Sequence, residues 1–220
     1  MSQIFRPGAD TWLRAAMLVA ALAVVALILF GFGFGRSTYA TLVGWVRDQP
    51  VPFSHQHHAG DLGIDCRYCH ATVEVAAHAG FPSTHTCMTC HSQLWTEEEM
   101  LAPVRDSLAE GRPLAWNRVS HLPDFVFFNH AIHVDRGIGC ATCHGEVDRM
   151  PLMWRAEPFQ MQWCLDCHRD PASFAESSAP LPGPERVEDG MSAAAFGARM
   201  LDGHAGMEPE RLDDCGLCHR

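Results

Sequence analysis

Every cysteine in the 220-residue sequence falls in one motif: two cysteines separated by two residues, with a histidine directly after the second. The five copies run from Cys66 to His70, Cys87 to His91, Cys140 to His144, Cys164 to His168 and Cys215 to His219. The chemistry this spacing serves is covalent attachment of a porphyrin: two thiols add across the two vinyl groups of one haem, and the adjacent histidine is held beneath its iron. Tetrahedral zinc also uses such cysteine pairs, but the pairs must then combine two by two, and five is odd. A disulfide framework gives no reason for histidine to follow every second cysteine. The expectation is five covalently bound haems c. Cys66, Cys69, Cys87, Cys90, Cys140, Cys143, Cys164, Cys167, Cys215 and Cys218 would form the thioethers. His70, His91, His144, His168 and His219 would be the proximal iron ligands.

A haem iron with its proximal histidine in place has one open axial position, and a second pattern supplies residues for it. Phe53-Ser54-His55-Gln56-His57-His58 precedes the first cysteine motif, and Phe128-Asn129-His130-Ala131-Ile132-His133 precedes the third. Gly63-Ile64 and Gly137-Ile138 then stand just upstream of Cys66 and Cys140, so the sequence contains one two-motif module twice, offset by 75 residues. Two histidines three residues apart cannot both reach the same open side of one iron. His55 and His58, like His130 and His133, are therefore expected to bind two different irons and to clamp neighbouring haems together. His57, His85, His121 and His204 lie outside this pattern and are read as surface or hydrogen-bonded residues. The fifth distal ligand is not fixed by the duplication. Met150, Met153, Met161 and His78 are the candidates, with Met150 preferred because methionine is a common axial ligand that raises the potential.

No catalytic constellation accompanies these residues. A haem enzyme needs an open iron and a substrate pocket, whereas an electron carrier saturates its irons with two side chains, and here the histidine supply nearly matches the demand. The net charge of -10 argues against a nucleic-acid partner. The function expected from the residues is electron transfer.

The elements that must position these residues need little regular structure, because large apolar macrocycles would supply much of the buried surface. The expected fold is a multihaem cytochrome c, class III-like: loops and short α-helices around five haems, with one N-terminal transmembrane helix. Residues 1–36 form the anchor, since the twenty from Ala15 to Phe34 carry no charge and span roughly 30 Å as a helix. A cleavable signal peptide usually has a shorter apolar stretch, so a retained anchor is favoured. Residues 37–170 hold the duplicated four-haem region. Residues 171–220 form a Pro-rich tether leading to the fifth site. Between the modules, Thr96 with Glu99 reads as a capping box opening a helix that ends at Gly111, with Pro103 kinking or restarting it. Haem attachment in bacteria takes place outside the cytoplasmic membrane. The chain is thus expected to cross the inner membrane once, with its haem domain in the periplasm.

These residues resemble the pentahaem cytochrome subunit of bacterial alternative complex III, a quinol-oxidising respiratory complex. The likeness runs through Gln3-Ile4-Phe5, Phe53 to His58, Gly63 to Cys66 and Thr86 to His91, and is most specific from Leu122 to His168. It implies a periplasmic electron-transfer subunit without its own catalytic site, bound to membrane subunits and a large iron-sulfur subunit. It also implies delivery to a monohaem cytochrome c, a soluble carrier or a terminal oxidase. Two other readings share the haems. One is a free-standing membrane-anchored quinol dehydrogenase. The other is a multihaem reductase such as the ammonia-forming nitrite reductases, which bind their catalytic haem through Cys-x-x-Cys-Lys, whereas all five motifs here end in histidine.

Overall fold

A computed structural model describes residues 6–170 and 212–219. The Pro-rich stretch, His204 and Gln3-Ile4-Phe5 lie outside the described residues. The chain divides into two compact units, residues 1–42 and residues 43–220.

The first unit is dominated by α1, Ala9–Gly35, which is long and apolar enough to cross a membrane; a signal sequence would meet the same criteria. The helix begins before the apolar run because Asp10 and Arg14 pair one turn apart, at 2.9 Å. It ends at Arg36, whose guanidinium lies 3.6 Å over the Phe32 ring. A single turn follows, α2, Thr38–Thr41, with the Ser37 hydroxyl accepting from the Ala40 N–H.

The second unit is built of short helices and loops. Its described residues form no strand, only isolated bridges joining Val43 to Arg155, Val46 to Trp154 and Val126 to His219. Each cysteine motif sits on a turn of helix: α3 is Cys66–Cys69, α4 is Thr84–His91, α7 is Cys140–His144, α8 is Met161–Arg169 and α9 is Cys215–Cys218. Helical spacing of i and i+3 puts both thiols on the same side, which a shared porphyrin requires. Asp65 and Asp214 start α3 and α9 by accepting backbone N–H groups of Arg67 and Gly216. Arg67 is held in turn by Asp65 at 3.0 Å and Glu74 at 3.1 Å.

The first histidine segment forms a π-helical turn, Gln56–Asp61, and the second forms α6, His130–Asp135. Among the described residues the buried apolar side chains are Val51, Val73, Leu101, Val104 and Met150. A core this small suits a chain whose apolar interior is completed by prosthetic groups.

The segment between the modules departs from the capping-box expectation. A 3-10 turn, Glu99–Leu101, leads into α5, Ala102–Glu110, so Thr96 caps nothing and Pro103 sits in the first helical turn. Proline favours that position because it lacks an N–H that would go unsatisfied there anyway. Gly111 ends the helix at φ 63, as its left-handed freedom allows. Leu101 and Val104 from this segment pack with Val51, and Cys87 and Met88 of α4 lie against the cluster.

Candidate functional site

Three pairs of histidine rings face each other across nearly the same gap. The ring centres of His58 and His91 are 6.2 Å apart, those of His130 and His144 are 6.3 Å, and those of His133 and His168 are 6.2 Å. In each pair one member comes from a Phe-x-His-x-x-His segment and the other closes a cysteine motif. For His55, the strongest neighbouring histidine influence comes from His70. The histidines of one segment have different neighbours: His58 lies across from His91 of the second motif, His130 from His144 of the third and His133 from His168 of the fourth.

Aromatic packing holds both segments in the same way. The Phe53 ring stacks on His58 at 4.3 Å and meets His55 edge-on at 4.9 Å. Phe128 repeats this, stacking on His133 at 4.3 Å and meeting His130 edge-on at 4.8 Å. One phenylalanine therefore fixes two imidazoles at different orientations, which accounts for the repeated Phe.

Backbone carbonyls then set the orientation and tautomer of most rings. Nδ1 of His58, His70, His130, His133 and His168 lies 2.7–2.8 Å from the carbonyls of Ser54, Gly80, Ala77, Asn129 and Leu212 respectively. His91 and His219 do the same with Leu94 at 3.2 Å and Phe125 at 3.3 Å. A carbonyl can only accept, so each Nδ1 carries the proton and Nε2 keeps its lone pair for a metal. His55 and His144 lack such a partner, and their Nδ1 atoms are buried. Burial, reinforced by nearby histidine charge, pushes both down to about 4, which keeps them neutral.

No disulfide joins any of the ten cysteines. Before attachment, burial pushes the Cys143 thiol up to about 12 and the Cys167 thiol up to about 11. Among the described residues no group of three or more His, Cys, Asp or Glu side chains is arranged to hold a bare ion. Donors that arrive as opposed histidine pairs are the set required by an iron whose four equatorial positions are filled by a porphyrin. With an iron–nitrogen bond of about 2 Å on each side, the two ring centres of such a pair fall roughly 6 Å apart, so the residues fit haem.

The fifth motif is placed by the segment ahead of His130. His219 stacks against Phe125 with ring centres 5.9 Å apart, and the Phe127 N–H donates to the Cys218 carbonyl at 2.8 Å. Met150 is buried, with its N–H on the Val147 carbonyl and its carbonyl accepting from Gln56, beside Gly145. His78 is exposed, and Met153 and Met161 lie before and at the start of α8. Of the remaining histidines, His57 pairs with Asp61 at 3.7 Å, His85 is exposed, and His121 meets the Arg155 guanidinium.

Sequence reasoning missed the carbonyl partners of the rings. Nothing in Gly80 or Ala77 announces them, because a carbonyl carries no residue-type signal. It also missed Phe125 and Phe127, although their position ahead of Phe128 was a signal.

Helical turns bearing paired thiols, histidines opposed in pairs and a helix-and-loop fold define a multihaem c-type cytochrome with a cytochrome c7-like fold, a protein of electron transport that carries covalently bound c-type haem. Residues 126–220 match the family model for cytochrome c7 and related cytochrome c. The chain is also 34% identical over 151 residues to the multiheme cytochrome c subunit of menaquinone reductase from Nitratidesulfovibrio vulgaris strain Hildenborough. That alignment covers 68% of this chain and 62% of the relative, so it spans less than two thirds of the relative's length.

Proposed function

We propose that the chain carries five haems c and conducts electrons as a subunit of a membrane quinone oxidoreductase complex. The observation that carries this reading is the set of opposed histidine pairs at 6.2–6.3 Å, each joining a duplicated segment to a cysteine motif. The ten cysteines bind the porphyrins, and His70, His91, His144, His168 and His219 are the proximal ligands. His55, His58, His130 and His133 are the distal ligands at the first four sites. Bound haem supplies iron that takes up or releases one electron at a time. The protein's part is to saturate the axial positions, fix the ring tautomers and keep the sites close. For the fifth site the sequence candidates are Met150, Met153, Met161 and His78, of which Met150 is buried in the loop after the third motif, beside Gly145.

In its finer form the proposal is the pentahaem subunit of a quinol-oxidising alternative complex III. Its haem domain lies in the periplasm, α1 is retained in the inner membrane, and electrons leave toward a cytochrome c or a terminal oxidase. The relative's name favours a second reading, in which the complex feeds electrons into menaquinone rather than taking them out. Tagged purification from native membranes in mild detergent tests both, with intact mass giving the haem count. The expected result is five haems and co-purification with an iron-sulfur subunit and polytopic membrane subunits. Quinol-dependent cytochrome c reduction by that assembly supports the first direction, and quinone reduction by a periplasmic donor supports the second. A chain that emerges alone and oxidises quinol unaided overturns the subunit reading.

A further inference from the structure

The contacts between the two modules are reciprocal. The His130 and Ala131 N–H groups donate to the carbonyls of Ala77 and Ala76, in the loop after the first motif, at 3.1 and 3.2 Å. In return the Gln56 N–H donates to the Met150 carbonyl, in the loop after the third motif, at 3.0 Å. Gly60 presses on the same loop so closely that a β-carbon there would sit 2.3 Å from the Asp148 carbonyl oxygen. Each histidine segment thus docks on the loop beyond the other module's first motif, as in a two-fold pair.

The outer motifs are fixed by other contacts. His58 ties the second motif to the histidine segment that leads into the first. His133 ties the fourth motif to the segment of His130, which faces the third. The fifth joins the fourth through His168 on the Leu212 carbonyl at 2.7 Å and Arg169 on Asp213 at 3.1 Å.

From this juxtaposition we infer that the five sites are ordered in space as second, first, third, fourth and fifth, and that the first and third sites form the bridge between the modules. The inference rests on the proposed haem assignment. It places the second and fifth sites at the two ends, so an electron exchanged between the ends crosses the first–third contact, one centre losing what its neighbour gains.

The test uses the full-length, haem-loaded protein and electron paramagnetic resonance during a potentiometric titration. Each site's signal is assigned through its own histidine-to-methionine variant, because methionine ligation raises the potential and leaves that iron reduced and diamagnetic first. In His130→Met, early reduction of the third site is expected to relieve magnetic coupling at the first and fourth sites and leave the second unchanged. A change at the second site with none at the first would mean that order follows the sequence, and would overturn the inference. Gly60→Ala, which touches no ligand, provides an independent reading: the first–third coupling weakens while the first–second and third–fourth couplings persist. Unchanged couplings throughout in that variant would also overturn it. A wild-type protein with fewer than five low-spin haems would instead sink the proposed function, so the two failures are distinguishable.

Discussion

At the scale of single residues, the two phenylalanines do as much as the histidines they touch. Phe128 lies on both His130 and His133, so truncating it frees two rings together. Phe128→Ala is expected to cost about 2 kcal/mol, less than a fully buried phenylalanine because its site is half-exposed. The check is thermal unfolding of the haem-loaded protein, and an unchanged melting temperature would show that the ring is not a support. His133→Ala has a narrower effect. It deprives the fourth site of the ring opposite His168, and a high-spin ferric signal from one haem is expected where the parent shows low spin. If the spectrum stays wholly low-spin, the distal assignment at that site is wrong. The motif residues were legible in the sequence because covalent attachment demands fixed residue types. The carbonyls that orient the rings were not, since every residue has one.

At the scale of elements, the stretch from Phe125 to His133 is the organising piece. It touches the fifth motif through Phe125 and Phe127, faces the third and fourth through its histidines, and bonds to the loop after the first. The loop after α7 is the other tight point. Gly145 has φ 71 and ψ -169, a conformation open only to glycine, and a β-carbon there would meet that of Ala156 at 2.7 Å. Gly145→Ala is therefore expected to destabilise the protein by about 2–3 kcal/mol. Chemical denaturation of the holoprotein measures this, and a loss within error of zero would mean the loop adjusts freely. The duplication was visible in the sequence, and so was the end of α5 at Gly111. The start of α5 was not, because Thr96 with Glu99 matches the capping pattern while Pro103 decides where the helix begins.

At the scale of the whole molecule, α1 and the second unit differ sharply in composition. The side chains from Ala15 to Phe34 are exposed and uncharged, whereas the sequence of the second unit is acidic overall. A retained anchor predicts that the protein stays with the membrane pellet through high salt and alkaline wash, and leaves it only in detergent. Recovery in the soluble fraction with residues 1–36 missing would show instead that the segment is removed. The sequence by itself determined the cofactor chemistry, the duplicated histidine segments and the apolar helix, because each depends on residue type and spacing along the chain. Only the tertiary structure decided which histidine lies across from which motif, which carbonyl orients each ring and which loops touch. Those depend on how loops between short helices cross in space, and the close approach of Gly60 to the Asp148 carbonyl joins residues that no local pattern connects.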